Sequence, residues 1–463
     1  MTVSGARASY RAIAHFHDNE NLIAWLQRSK AIQWLTPQRR RTILLAGACC
    51  AAVVGTMSRH GPWRDYRYLD TWAVPAVALP ILLAIIYVLY LMTLHFRRLP
   101  GFIRARPQIC IHLFFWFLLI WLWLDPTPSF FGAVVLLVVG SFPYLIWRCG
   151  YMVLSGQRGK GSTTKFADHF FYIFPVWDGT NTPPGKGHEN LSRAEAQTAG
   201  AYSQSVLAGV KLLLLVGLWK GLMQVMGAVV YGDPKISLTG LVGEVHLDIP
   251  RLRAIVNGDV TPSLGIFWLS LYLELIWEVL AIAAKGHVWV GVLRLFGFHV
   301  FRNTYKPLLA ESITEFWNRY YYYFKELMME FFFLPTYLRY FRHWPTLRII
   351  AAVFAAAFVG NMYYHLLQAK NPLVDGDAEK LWLLLGPRLV YCFLLAAGIA
   401  FSMLRQQRLR GQPGSLGRPK TGLYRLRRIA GVWTFFALIN VWNVTSGTSI
   451  LDRGRLFMTI FGF

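Results

Sequence analysis

Apolar residues cluster along this chain into long runs separated by short polar or cationic stretches. Runs near the ~20 residues that cross a bilayer core as a helix fall at Thr42–Met57, Thr71–Phe96, Gln108–Leu124, Phe130–Trp147, Ser205–Tyr231, Leu264–Ala284, Leu347–Gln368, Leu381–Leu404 and Ile429–Asn443. The pattern predicts an all-α fold, a polytopic transmembrane helical bundle of roughly nine spanning helices. Val288–Val300 and Phe324–Pro335 are apolar but short. They are expected as re-entrant or interfacial helices, which occur at membrane depth only when shielded by protein or lining a cavity. In Asn21–Leu35, Leu22, Ile23, Trp25, Leu26, Ile32, Trp34 and Leu35 recur near the helical period, predicting an amphipathic helix on the membrane surface. The polar, basic opening lacks the pattern expected of a cleavable signal peptide, so Thr42–Met57 is expected to be a retained first span. Four segments result: an amphipathic N-terminal segment 1–41, N-terminal spans 42–154, a transmembrane core 155–450 and a tail 451–463.

Composition supports this reading. Of 463 residues, 55% are hydrophobic and only 15% charged, against about 25% charged in soluble domains. A bilayer accounts for the deficit, because a charge at its centre costs roughly 2.5–3.5 kcal/mol on insertion scales. The formal net charge of +24 raises the question of nucleic acid. Its cations sit between apolar runs, and no basic domain of independent folding size exists, so nucleic acid is not an expected partner. Cys49, Cys50, Cys110, Cys149 and Cys392 lie in or beside apolar runs without metal-ligand spacing; small buried hydrophobes are expected, with no metal.

Cations in short loops set the orientation. Arg39–Arg41, the stretch with Arg97, Arg98, Arg104 and Arg106, and the acid-free loop from Arg405 to Arg428 belong in the cytoplasm. Asp375, Asp377 and Glu379 crowd a loop with little positive charge. Nine spans then alternate with the N-terminus cytoplasmic, in the cell (cytoplasmic or inner) membrane. Ser58–Asp70, with Arg59, Arg64 and Arg67, fits poorly as an outer loop. Ser155–Ser203 is expected inside and Gly232–Ser263 outside.

Chemistry concentrates between membrane segments. Glu311 to Lys325 mixes charge, amide and aromatic residues, where polarity is expensive and usually functional; Gly360-Asn-Met-Tyr-Tyr-His365 follows about one span downstream. A neutral imidazole in a dry environment is a candidate general base, and Asn361, one turn before His365, can fix its tautomer or hold substrate. The bland alternative is a helix-end histidine bonded to a backbone carbonyl or a headgroup. Arg319 suits an anionic donor group, and equally a headgroup contact or a helix-capping pair.

Ser312, Glu315, Phe316, Trp317, Arg319 and Pro335, with His365 after Tyr363 and Tyr364, resemble the membrane-bound O-acyltransferase family, whose members include alginate O-acetylases and the D-alanyl transfer protein of teichoic acids. Phe171 to Gly179 and Arg427 to Asn440 are weaker matches; together the resemblance spans roughly Lys165 to Asn443. It implies that 155–450 is a catalytic core passing an acyl group from a thioester, on coenzyme A or a carrier protein, to a hydroxyl of a cell-envelope glycan or lipid. The thioester is a co-substrate, and no tightly bound cofactor is implied. His365 and Tyr321 become the expected catalytic residues, with Trp317, Asn318, Arg319 and Asn361 binding substrate. The bilayer, the donor, an extracytoplasmic or membrane-bound acceptor and a carrier or accessory acyltransferase protein are the expected partners. The chain departs from the family at Tyr320 and Tyr321, where Trp and then His or Asn are usual, which leaves open a catalytically inactive scaffold. Glu274 and Glu278, one turn apart in an apolar run, leave open a transporter or flippase. Gly156 to Ser162 lacks the spacing of a phosphate loop and is expected to be a linker.

Overall fold

The computed structural model describes residues 14–57, 71–125, 127, 129–159, 164–176, 182–233, 246–410 and 422–463. These are overwhelmingly helical, and their only β feature is an isolated antiparallel bridge between Glu195 and Phe298. Among the described residues, eight helices are long and apolar enough to cross a membrane: α1 (Pro37–Met57), α2 (Ala73–Leu94), α3 (Pro107–Leu124), α4 (Phe130–Gln157), α5 (Ala199–Val230), α6 (Leu264–Leu295), α7 (Pro345–Gln368) and α8 (Ala378–Leu409). The ninth predicted run lies in α9 (Gly422–Asn443), whose first turns carry Arg425, Arg427 and Arg428 and leave too short an apolar stretch to count with the others. The loop 58–70 that fitted its expected side poorly lies outside the described residues, as do parts of Gly156–Ser162, Phe171–Gly179, Gly232–Ser263 and the loop between α8 and α9.

Two expectations are corrected. Val288–Val300 is not a separate short helix: Val288–Leu295 continues α6 without a break, giving 32 residues. Lys285 and His287 interrupt the apolar run but leave the backbone hydrogen-bond ladder intact, and Gly286 lets the Asn303 side chain pack where a Cβ would stand. The single amphipathic helix over Asn21–Leu35 is two, Glu20–Gln27 and Lys30–Trp34. Ser29 divides them by accepting a bond from Ile32 N at 3.3 Å, the local competition that makes serine an N-cap. Trp25 and Trp34 remain exposed.

The chain divides into two compact units, Met1–Leu215 with His287–Arg302, and Val216–Gly286 with Asn303–Phe463. In the first, α4 is the buried centre, packed against α2 and α3. It starts where Ser129 Oγ accepts from Gly132 N at 2.9 Å, and Gly156 near its end lies against the Thr93 backbone of α2. Such small residues matter because apolar burial gives helices little reason to associate in lipid, so close backbone packing must. The N-terminal arginines do more than mark a side: Arg40 is buried, donates to Ala196 O at 2.6 Å and lies 4.1 Å over the Tyr202 ring. Arg41 pairs with the buried Glu195 at 2.5 Å.

The second unit has its own core, in which Leu271 and Leu275 of α6, Phe316, Cys392 and Leu395 of α8, and Phe436 and Ala437 of α9 are buried together. Phe316 stacks on Phe436 with ring centroids 3.8 Å apart. Phe324–Pro335, expected as a short re-entrant or interfacial helix, is helical throughout, with a π-helical turn at Met329–Phe333. A second π-helical stretch, Phe354–Gly360, lies within α7 and packs against the first.

Candidate functional site

The motif segment is two short helices, Ile313–Tyr320 and Tyr322–Met328, meeting at Tyr321. Ser312 caps the first by accepting from Glu315 N at 3.1 Å. Glu315 then accepts from Glu311 N at 2.7 Å and pairs with Arg319 at 2.6 Å one turn on. The break at Tyr321 is pinned from outside: Tyr322 N donates to Asn303 O at 2.9 Å, and Tyr323 N to Asn303 Oδ1 at 3.3 Å. Thr304 Oγ1 also donates to Tyr320 O at 2.8 Å. Backbone groups freed by the interruption are thereby satisfied, as a water-poor setting requires.

That break turns the aromatic side chains of the segment toward α7. Trp317 and Tyr321 both lie against Phe324, with centroids 5.9 and 5.6 Å away. Phe324 meets Tyr364 edge-on at 4.8 Å, and Tyr364 meets His365 at 6.1 Å. The segment and the histidine are thus joined by two rings within one unit. Asn318 faces elsewhere, lining a polar cavity of about 320 Å³ with Glu311, Ser312, Thr314, Glu315, Gln406 and Arg428. Arg319 is occupied by Glu315 and also donates to Lys306 O at 3.4 Å, which matches the helix-pairing account of it.

His365 is half-buried, and its partner is a side chain that sequence reading did not single out. Arg388 Nη1 lies 2.6 Å from His365 Nδ1, and its Nη2 donates to Thr445 Oγ1 at 3.0 Å. A guanidinium has only donors, so Nδ1 must offer its lone pair and Nε2 carries the ring proton. Asn361 is buried one turn earlier and makes no hydrogen bond to the ring among the described residues; the tautomer is set by Arg388. The signal for Arg388 was available, since it is a lone cation inside the apolar run Leu381–Leu404, where intramembrane charge is a functional pointer.

Glu274 and Glu278 differ sharply. Glu274 accepts from Arg251 at 2.7 and 3.0 Å, and that guanidinium is sandwiched 4.6 and 4.2 Å from the Tyr231 and Trp277 rings. This is the fixed, neutralised setting of a structural carboxylate. Glu278, one turn on, is within electrostatic reach of Asn440, Glu274, Arg251 and Arg388. In the other unit, the metal-capable side chains His15, His17 and Asp18 are close together, but the Lys211 ammonium stands 3.5 Å from His17 Nδ1 and opposes a second cation there.

These elements define a polytopic, all-helical membrane protein with eight candidate spans. No family model matches the chain, and no curated protein matches it.

Proposed function

We propose that the chain is a membrane-bound acyltransferase, moving an acyl group from a thioester on coenzyme A or a carrier protein to a hydroxyl of a cell-envelope glycan or lipid. It would sit in the cytoplasmic membrane with its N-terminus in the cytoplasm. The observation that supports this reading most is the convergence of the Trp317–Tyr321 break on His365 through Phe324 and Tyr364. The acceptor oxygen attacks the thioester carbonyl, the new C–O ester bond forms, and the C–S bond breaks. The hydroxyl proton passes to His365 and from there to the departing thiolate.

The Arg388 contact adds a condition to that step. With Nδ1 capped and Nε2 protonated, neither nitrogen is free to take a proton, and the ring is a donor toward a carbonyl oxygen. It becomes a general base when Arg388 withdraws and the ring proton moves to Nδ1. Purified protein given a labelled acyl thioester and a hydroxyl acceptor tests the reading. His365→Ala is expected to lower turnover by about 10²–10⁴-fold, the usual contribution of a proton-transferring side chain. Turnover that survives the substitution removes His365 from the mechanism. Absence of any transfer, alongside substrate flux that depends on Glu278, makes the protein a transporter instead.

A further inference from the structure

Phe401, Arg405 and Leu409 fall one turn apart on α8, placing a cation between two apolar residues on a single face. Phe401 is 66% exposed and Leu409 41%, although both belong to a span long and apolar enough to lie in lipid. Tyr424, Arg428 and Val432 repeat the same spacing on α9. Between the two stripes is a cavity of about 440 Å³, whose lining includes three arginines, Arg405, Arg427 and Arg428, and the single carboxylate of Glu311.

That carboxylate is already engaged. Arg425 lies 3.1 Å from it and Arg428 3.6 Å, and Arg428 Nε also donates to the Glu311 carbonyl at 3.0 Å. Nearby neutral polar groups are spent on each other: Gln406 Nε2 donates to Ser312 Oγ at 3.1 Å, and Ser402 Oγ accepts from Thr314 N at 3.3 Å. Among the described residues, Arg405 and Arg427 make neither hydrogen bond nor ion pair. Two uncompensated guanidinium groups, one near the end of a spanning helix and one in the first turns of α9, call for an anion from outside the chain. The apolar, exposed flank at Phe401 and Leu409 gives that anion a hydrocarbon chain.

We propose that this cavity binds an anionic phospholipid, with Arg405 and Arg427 on the headgroup phosphate and an acyl chain along Phe401. A basic pocket between spanning helices is a recurrent form of headgroup recognition. The inference does not rest on the acyltransfer reading. The rival source of phosphate is a soluble acyl donor, because the cavity shares Glu311, Ser312, Gln406 and Arg428 with the one lined by Asn318.

Full-length protein in nanodiscs of phosphatidylcholine, alone or mixed with phosphatidylglycerol, separates the two sources, with native mass spectrometry counting retained lipid. Phosphatidylglycerol is expected to be retained over phosphatidylcholine. Attraction of roughly 1 kcal/mol per surface cation corresponds to about 5-fold per arginine, so Arg405→Gln with Arg427→Gln should weaken retention roughly 30-fold. Both side chains are exposed, and a monodisperse, thermally unchanged variant establishes that it folds. His365→Ala should retain the lipid fully. Equal retention of both lipids overturns the proposal, as does retention unaffected by the double substitution. Arginine-dependent binding of free coenzyme A that displaces phosphatidylglycerol assigns the cavity to the donor and overturns it too.

Discussion

His365 and Arg388 show how one contact changes the meaning of a residue. The imidazole was legible as chemistry because polarity inside an apolar run is costly. Which nitrogen holds the proton was not legible, since that depends on a guanidinium 23 residues away in sequence and 2.6 Å away in space. The arrangement makes a spectroscopic prediction. Nitrogen-15 spectra of histidine-labelled protein should show one imidazole with Nε2 protonated and Nδ1 bare, and Arg388→Gln should convert that ring to a mixture of tautomers. Turnover should hold or rise, because the substitution removes the guanidinium that keeps Nδ1 from taking a proton. A ring whose nitrogen shifts ignore the substitution would leave Arg388 with a merely structural role.

At the scale of elements, the informative features are interruptions of the α-helix. Two π-helical stretches of the second unit, Met329–Phe333 and Phe354–Gly360, fall beside the aromatic path to His365, in keeping with the association of such turns with functional sites. Gly360 ends one of them, and a Cβ there would stand 2.6 and 2.7 Å from carbons of the Phe332 ring on the other. Gly360→Ala should therefore destabilise the protein by about 1–3 kcal/mol, the usual cost of overpacking, with a lower melting temperature in detergent. Adding Phe332→Leu should restore most of the loss. If Gly360→Ala melts like the parent, the close approach is not a constraint. The π stretch Phe354–Gly360 was not readable from sequence, because its composition is that of an ordinary apolar run.

Across the whole molecule, polar groups outside the spans carry the response to acid. His169 and His188 are buried, with rings 5.6 Å apart. Thr164 and Ser192 engage their Nε2 atoms at 2.8 and 2.9 Å, while both Nδ1 atoms have no hydrogen-bond partner among the described residues. Burial holds each ring near pKa about 4, below the usual 6.5. The unfolded chain binds protons at these rings below about 6.5 and the folded chain only near 4. Stability is therefore complete above 6.5 and declines as pH falls toward 4. Thermal melts across that window should fall with acidification and flatten when His169→Gln and His188→Gln are combined. Parallel curves for parent and variant would assign the acid response to other groups.

The chain's own pattern determined that this is an all-helical membrane protein, and it located all eight candidate spans, although α4 and α6 run on past the predicted Trp147 and Ala284 to Gln157 and Leu295 and the ninth predicted run falls short of a span. Lipid imposes that legibility: each span must satisfy its backbone internally and present apolar side chains along its length. The same requirement hides what lies within the bundle, since a run of apolar residues reads alike whether it faces lipid, a core or a distorted turn. Tertiary structure alone decided the pairing of Arg388 with His365, the anchoring of the Tyr321 break by Asn303, and the burial of Arg40. Each is a polar contact between residues far apart in sequence, and only folding brings the partners within hydrogen-bonding or cation–ring reach.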